Sequence, residues 1–187
     1  MSIRDEQRER VTEQLAEHLL ATGLTQTSLR ALARAAGVSD RMLLYYFADK
    51  TEILAAASTR IALHSVAGLA AALPEGTRLP PHELVMLAAQ LTSGPDMRRF
   101  MRLWVEMIGA AAKGEEPFVA ISAQVLGGFK AWLAERLDVP EGTDRAATAG
   151  AIIALVDGLA LVEICSTEAD MRAMHGALAG LFGQVQK

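Results

Sequence analysis

The 187-residue sequence predicts an all-α protein of nine helices. Three observations lead there. Apolar residues recur at helical spacing along nearly the whole chain, and the alternation that marks strands is absent. Ala and Leu dominate the periodic runs. Cap and stop residues, with Ser, Thr or Asp before a run and Gly or Pro after it, divide the chain into segments of helical length. Hydrophobic residues make up 51% of the composition, enough for a substantial core. No low-complexity tract and no repeat of fixed period occurs.

The elements follow in order. Helix one is expected over about 3–21, where Val11, Leu15 and Leu19 form one stripe and Gly23 is a stop. Thr27 can cap a second helix that runs to about Ala36, and Gly37 sits where a left-handed residue ends a helix. Ser39 caps a third, about 40–47, with Val38 and Leu43 at the spacing of a hydrophobic staple. Asp49 can cap a long fourth helix ending near Ala72, and LPEGTRLPP, residues 73–81, reads as a linker. Beyond it lie helix five (about 82–92), helix six (95–112, capped by Ser93 with Pro95 in its first turn), helix seven (115–137), helix eight (143–165) and helix nine (167–185).

Composition narrows the function. A single cysteine, Cys165, cannot form an intrachain disulfide and fits a reducing compartment. The charged, amphipathic N-terminus has no apolar signal core. The apolar run AGAIIALVDGLALV is broken by Asp157, closed by Glu163, and is too short for a membrane span. A soluble, cytoplasmic protein with no membrane partner is expected. The four histidines, His18, His64, His82 and His175, lack metal-site spacing, and no phosphate loop or dinucleotide-binding glycine pattern occurs. Neither a metal, a cofactor nor an enzymatic activity is therefore expected. Net charge is −4, carried by residues 51–187; residues 1–50 hold seven basic and seven acidic residues and are neutral. Charge alone does not point to nucleic acid.

The pattern at 27–47, TSLRALARAAGVSDRMLLYYF, does. Two short helices meet at a tight turn. Gly37 supplies the positive φ, Ala33 lets the helices cross closely, and Leu29, Leu32, Val38, Leu43 and Phe47 can share a minimal core. This is the helix-turn-helix plan, whose second helix enters the DNA major groove. Ser39, Asp40, Arg41 and Met42 lie at the end of that helix that meets base edges. Tyr45, Tyr46 and Lys50 can grip phosphates on the far side.

The stretch T-S-L-R-A-L-A-x-A-A-G-V-S-x-x-x-L-x-Y-Y-F-x-x-K-x-E-I-L, within residues 8–54, resembles the N-terminal signature of the TetR family of bacterial transcriptional regulators. The resemblance implies a homodimer whose subunits each carry a DNA-binding head, residues 1–50, and a ligand-binding and dimerising body, residues 51–187. It implies phosphate contacts from Thr27, Ser28 and Arg30, base contacts from Asp40, Arg41 and Met42, and further backbone contacts from Tyr45, Tyr46 and Lys50. Two positions depart from the family pattern. Asp40 stands where a basic or amide residue is frequent, and Leu44 stands where tyrosine is common. Arg41 is expected to contact guanine, since its guanidinium forks onto O6 and N7. The alternative is a helical interaction or small-molecule-binding module whose helix-turn-helix no longer binds DNA.

In the body, Gly150, Ala154 and Gly158 on helix eight, and Gly176 and Gly180 on helix nine, form small-residue stripes. These suit a four-helix dimer interface, or close packing within the chain. His64, Met101, Trp104, Glu106, Met107, Phe118, Phe129 and Asp157 are candidates for a pocket that takes a small, largely apolar effector. At helical spacing the same apolar residues also fit simple core. Asp157 suits a helix–helix hydrogen bond at least as well as a ligand contact.

Overall fold

A computed structural model of the chain describes residues 3–92 and 94–183. Its described residues form nine α-helices: α1 (Ile3–Thr22), α2 (Leu29–Ala35), α3 (Asp40–Tyr46), α4 (Lys50–Ala72), α5 (Pro81–Thr92), α6 (Pro95–Ala112), α7 (Phe118–Glu135), α8 (Arg145–Ile164) and α9 (Glu168–Gly183). The expected all-α class holds. Ser93, the expected cap of α6, and the expected last residues of α9 lie outside the described residues.

Local chemistry sets most boundaries. The Ser39 side chain accepts the Met42 N–H at the start of α3, and Asp49 accepts that of Glu52 at the start of α4, as the cap pattern predicts. At α2 the cap is Ser28, which accepts the Ala31 N–H, rather than Thr27. Thr27 instead donates its hydroxyl to the Leu24 carbonyl, because a 3-10 turn over Gly23–Gln26 fills the space after α1. That turn was not expected: GLTQ has no periodic pattern to announce it. Helix α7 is shorter than the predicted 115–137. Pro117 disfavours helical backbone at Glu116. At the other end Leu137 leaves the helix to bridge Leu79. Helix α8 begins two residues later than expected because Asp144 caps it by accepting the Ala147 N–H.

The chain divides into two compact units, Met1–Gly68 with Arg99–Gly128, and Leu69–Arg98 with Phe129–Lys187. The first unit takes in α4 as far as Gly68, α6 from Arg99 onward and α7 as far as Gly128. In the first unit the α1 stripe of Val11, Leu15 and Leu19 is buried together with Leu32, Ala33, Leu43, Phe47, Ile53, Leu54 and Ile61. A carboxylate ladder on the same helix binds its neighbours. Glu9 and Glu13 pair with Arg60 of α4, and Glu17 pairs with Arg99 of α6 at 3.1 Å.

The second unit has its own core of Leu73, Leu84, Val85, Leu133, Leu137, Ala149 and Ile152. The backbones of Leu79, Arg136 and Asp138 are bonded across the 73–81 segment, at 2.9 Å from Leu79 N and 2.8 Å from Asp138 N. Arg136 is buried. It stacks on the Trp132 ring at 4.2 Å and donates to the Trp132 carbonyl at 3.0 Å. Arg145 donates to the carbonyls of Ala134 and Leu137, so a cation closes the end of α7 where the helix dipole is negative.

The length expected of the apolar run is corrected: both α4 and α8 are long and apolar enough, by length and composition, to cross a membrane, a test that the core helix of a soluble protein also passes. The run AGAIIALVDGLALV read as too short because α8 extends beyond it at both ends, over Arg145–Ile164.

Candidate nucleic-acid interface

Helices α2 and α3 cross on a turn that the backbone permits only because of one residue. Gly37 has φ +65°, the left-handed region that L side chains rarely adopt. The Val38 N–H then reaches the Ala33 carbonyl at 3.0 Å and the Gly37 N–H reaches that of Arg34 at 3.2 Å, a closed helix end. Ala33, 1% exposed, leaves room for the crossing, and Leu32, Leu43 and Phe47 are buried beneath it. Leu29 and Val38 are half-buried at its edge.

This packing faces one side of α3 inward and the other outward. Asp40, Arg41 and Met42 are exposed on the first turn, as are Ser39 before it and Leu44 and Tyr45 after it. Ser28 and Arg30 are exposed at the start of α2, Thr27 is half-buried, and Lys50 is exposed at the start of α4. Every DNA-contact candidate except Thr27 and Tyr46 is thus exposed. Both tyrosines form an edge-to-face pair, centroids 5.4 Å apart.

Sequence reasoning missed the residues that hold α3 from behind. From α1, Arg4 donates to the Tyr45 carbonyl and lies over the Tyr45 ring, while Arg8 donates to the Tyr46 carbonyl at 3.2 Å and lies over the Phe47 ring. Arg8 also pairs with Glu52 at 2.9 Å, and Glu52 accepts the Ala48 N–H. Two guanidiniums thus satisfy carbonyls at the negative end of α3 and leave its first turn free. The only sequence signal was their spacing, i and i+4 on α1.

The pocket candidates are dispersed. In the first unit Met101, Trp104 and Met107 are buried, Trp104 stacked with Phe100, and the Ser58 hydroxyl approaches the Met107 sulfur. His64 is exposed and faces Glu13 at 3.7 Å. Glu106, expected within an apolar environment, is exposed; its carboxylate accepts the Leu24 N–H at 2.7 Å. Phe118 is half-buried. With Leu24, Thr27, Lys50, Leu54 and Glu116 it lines a groove of about 390 Å³. In the second unit Phe129 and Asp157 are half-buried, and Asp157 has an interaction partner. Of the small-residue stripes, Gly150 faces the Lys130 side chain of its own chain, whereas Gly158, Gly176 and Gly180 face open space.

Two short helices crossed on a glycine bend, with the first turn of the second helix bare and its last turn tied down, define a helix-turn-helix DNA-binding protein. Residues 14–57 match the model of the bacterial regulatory proteins of the tetR family. A TetR-family transcriptional regulator from Cytophaga hutchinsonii is similar over 98% of this chain and 96% of its own, at 18% identity and a TM-score of 0.72. A Streptomyces coelicolor A3(2) protein assigned as a transcriptional regulator is 25% identical over 93% of this chain and 96% of its own, TM-score 0.71. The multidrug binding protein EbrR, complexed with proflavin, is 25% identical over 94% of this chain and 99% of its own, TM-score 0.63. No curated protein matches the chain at a significant level. Residues 14–57 thus match the tetR-family DNA-binding head, and the fold of the whole chain is similar to that of a TetR-family transcriptional regulator.

Proposed function

We propose that the chain is a ligand-responsive repressor that binds a near-palindromic operator as a homodimer in the cytoplasm and is released by a small, largely apolar effector. The exposed first turn of α3 carries the DNA reading. Arg41 stands there free of intrachain ion pairs among the described residues, poised for a guanine edge. Functionally, residues 1–50 act as the reading head and 51–187 as the effector-binding and dimerising body.

The dimer reading is supported by α8 and α9. Leu155, Leu161, Val162 and Ile164 are exposed on α8, as are Ala154, Gly176 and Gly180 of the small-residue stripes. Such an apolar helical surface suits burial against a second copy of itself. A dimer also answers a physical need: one short helix reads too few bases, whereas two heads about one DNA turn apart read a palindrome. EbrR, which binds proflavin, lends support to an aromatic or apolar effector for this chain. Effector binding in the body shifts α4, an uninterrupted helix from Lys50 to Ala72, and the two heads lose their common register on DNA. The effector must bind the DNA-incompetent state more tightly, because equal affinity for both states shifts nothing.

The test is a salt titration of binding to a duplex from the gene's own upstream region. Affinity is expected to fall linearly on a logarithmic salt scale, with a 2:1 subunit-to-duplex ratio. Binding that is flat across ionic strength would leave the helical interaction module as the better reading.

A further inference from the structure

We infer that Glu106 is a positioning residue for the DNA-binding head, acting through the backbone N–H of Leu24; this rests on the DNA-binding reading above. The 3-10 turn Gly23–Gln26 is the hinge between α1 and α2, and so sets where α2, and α3 crossed upon it, are held. Helix α6 reaches that hinge from 82 residues away along the chain. The Glu106 carboxylate accepts the Leu24 N–H at 2.7 Å, a charge-assisted bond to one of the donors that the turn leaves without an intrahelical partner.

Gly23 shows that the contact is built in. Its φ is +63°, and a Cβ at this position would overlap the Glu106 carboxylate. The backbone favours glycine here, and any larger residue would also have to displace the Glu106 carboxylate from the turn. A second contact, Arg99 with Glu17, ties α6 to α1 about two helical turns earlier on each. On its opposite face α6 buries Met101, Trp104 and Met107, so a change in that packing is carried to the hinge through Glu106.

The experiment uses the full-length protein and two readouts. Leu24 amide hydrogen exchange reports the bond itself, and fluorescence anisotropy with upstream duplex reports the head. Glu106→Ala is expected to speed Leu24 exchange by about tenfold or more and to weaken DNA binding by about tenfold, the scale of a lost hydrogen bond to a charged group. Glu106→Gln keeps a carbonyl oxygen at the same reach and should restore both readouts to within about threefold. Gly23→Ala, which pushes the carboxylate aside, should reproduce the Glu106→Ala effects, and combining the two should add less than their sum. Unchanged Leu24 exchange in Glu106→Ala overturns the inference, and so does faster exchange with unaltered DNA affinity. If the parent protein binds no DNA, the DNA-binding reading fails, and with it the positioning role.

Discussion

On the proposed reading, Arg41, Lys50 and Ser39 do three different jobs on one short helix and its flanks, and substitution should separate them. Arg41→Ala is expected to lose about 1–3 kcal/mol on the preferred operator and little on unrelated duplex, because a forked guanidinium reads one base pair. Lys50→Ala should weaken binding to all sequences alike and lower the salt slope by about one, the signature of a phosphate contact. Both outcomes are read by anisotropy at several salt concentrations. Ser39→Ala acts on folding: it leaves the Met42 N–H without its cap and should reduce stability by about 1 kcal/mol in denaturant unfolding. Asp170 supplies a pH-dependent case. The Thr167 hydroxyl donates to its carboxylate at 2.7 Å and holds its pKa below the ordinary value. Its contribution to the start of α9 is therefore present above the ordinary carboxylate range and lost as pH falls through the depressed value. Amide exchange at the first turn of α9 should quicken only on that acid side, and Asp170→Asn should remove the dependence. The Ser39 cap was legible in the sequence because capping is local, and the proposed contacts of Arg41 and Lys50 rest on equally local positions. Arg8 and Glu106 were not legible, since what they bind lies 38 and 82 residues away.

At the scale of elements, α2 and α3 are each seven residues long, too short to hold together without tertiary support. Leu43 and Phe47 supply it, both buried to within 1%. Leu43→Ala is expected to destabilise the head by about 2–5 kcal/mol, with loss of DNA binding near 37 °C while the helical content of the remainder survives. Circular dichroism with a parallel binding assay tests this. The nine helices were readable because each has an apolar face at helical spacing, and Gly37 because only a left-handed residue closes that turn. The 3-10 turn at 23–26 and the C-terminal end of α7 were hidden. The first is held by a carboxylate from another helix, and the second by the bridge between Leu79 and Leu137. Neither partner has a local sequence signature. The candidate pocket is not separable from core for the same reason: Met101, Trp104 and Met107 carry the same helical spacing whether they line a cavity or fill a core.

For the whole molecule, a neutral head on a chain of net charge −4 makes DNA affinity depend on where charge is placed rather than on its sum. In the proposed homodimer the second head multiplies a weak single-head contact. The exposed apolar surface of α8 is the proposed seam, and Ala154→Arg placed within it should yield monomers in sedimentation and weaken operator binding by at least tenfold, with helical content unchanged. The most direct measurement of the central claim is the stoichiometry and salt dependence of binding to the upstream duplex, made on the parent protein and on Arg41→Ala side by side. The account predicts two subunits per duplex, affinity that falls steeply with salt, and an Arg41→Ala loss confined to the preferred sequence. Equal affinity of the two proteins for every duplex, with no response to salt, would contradict it.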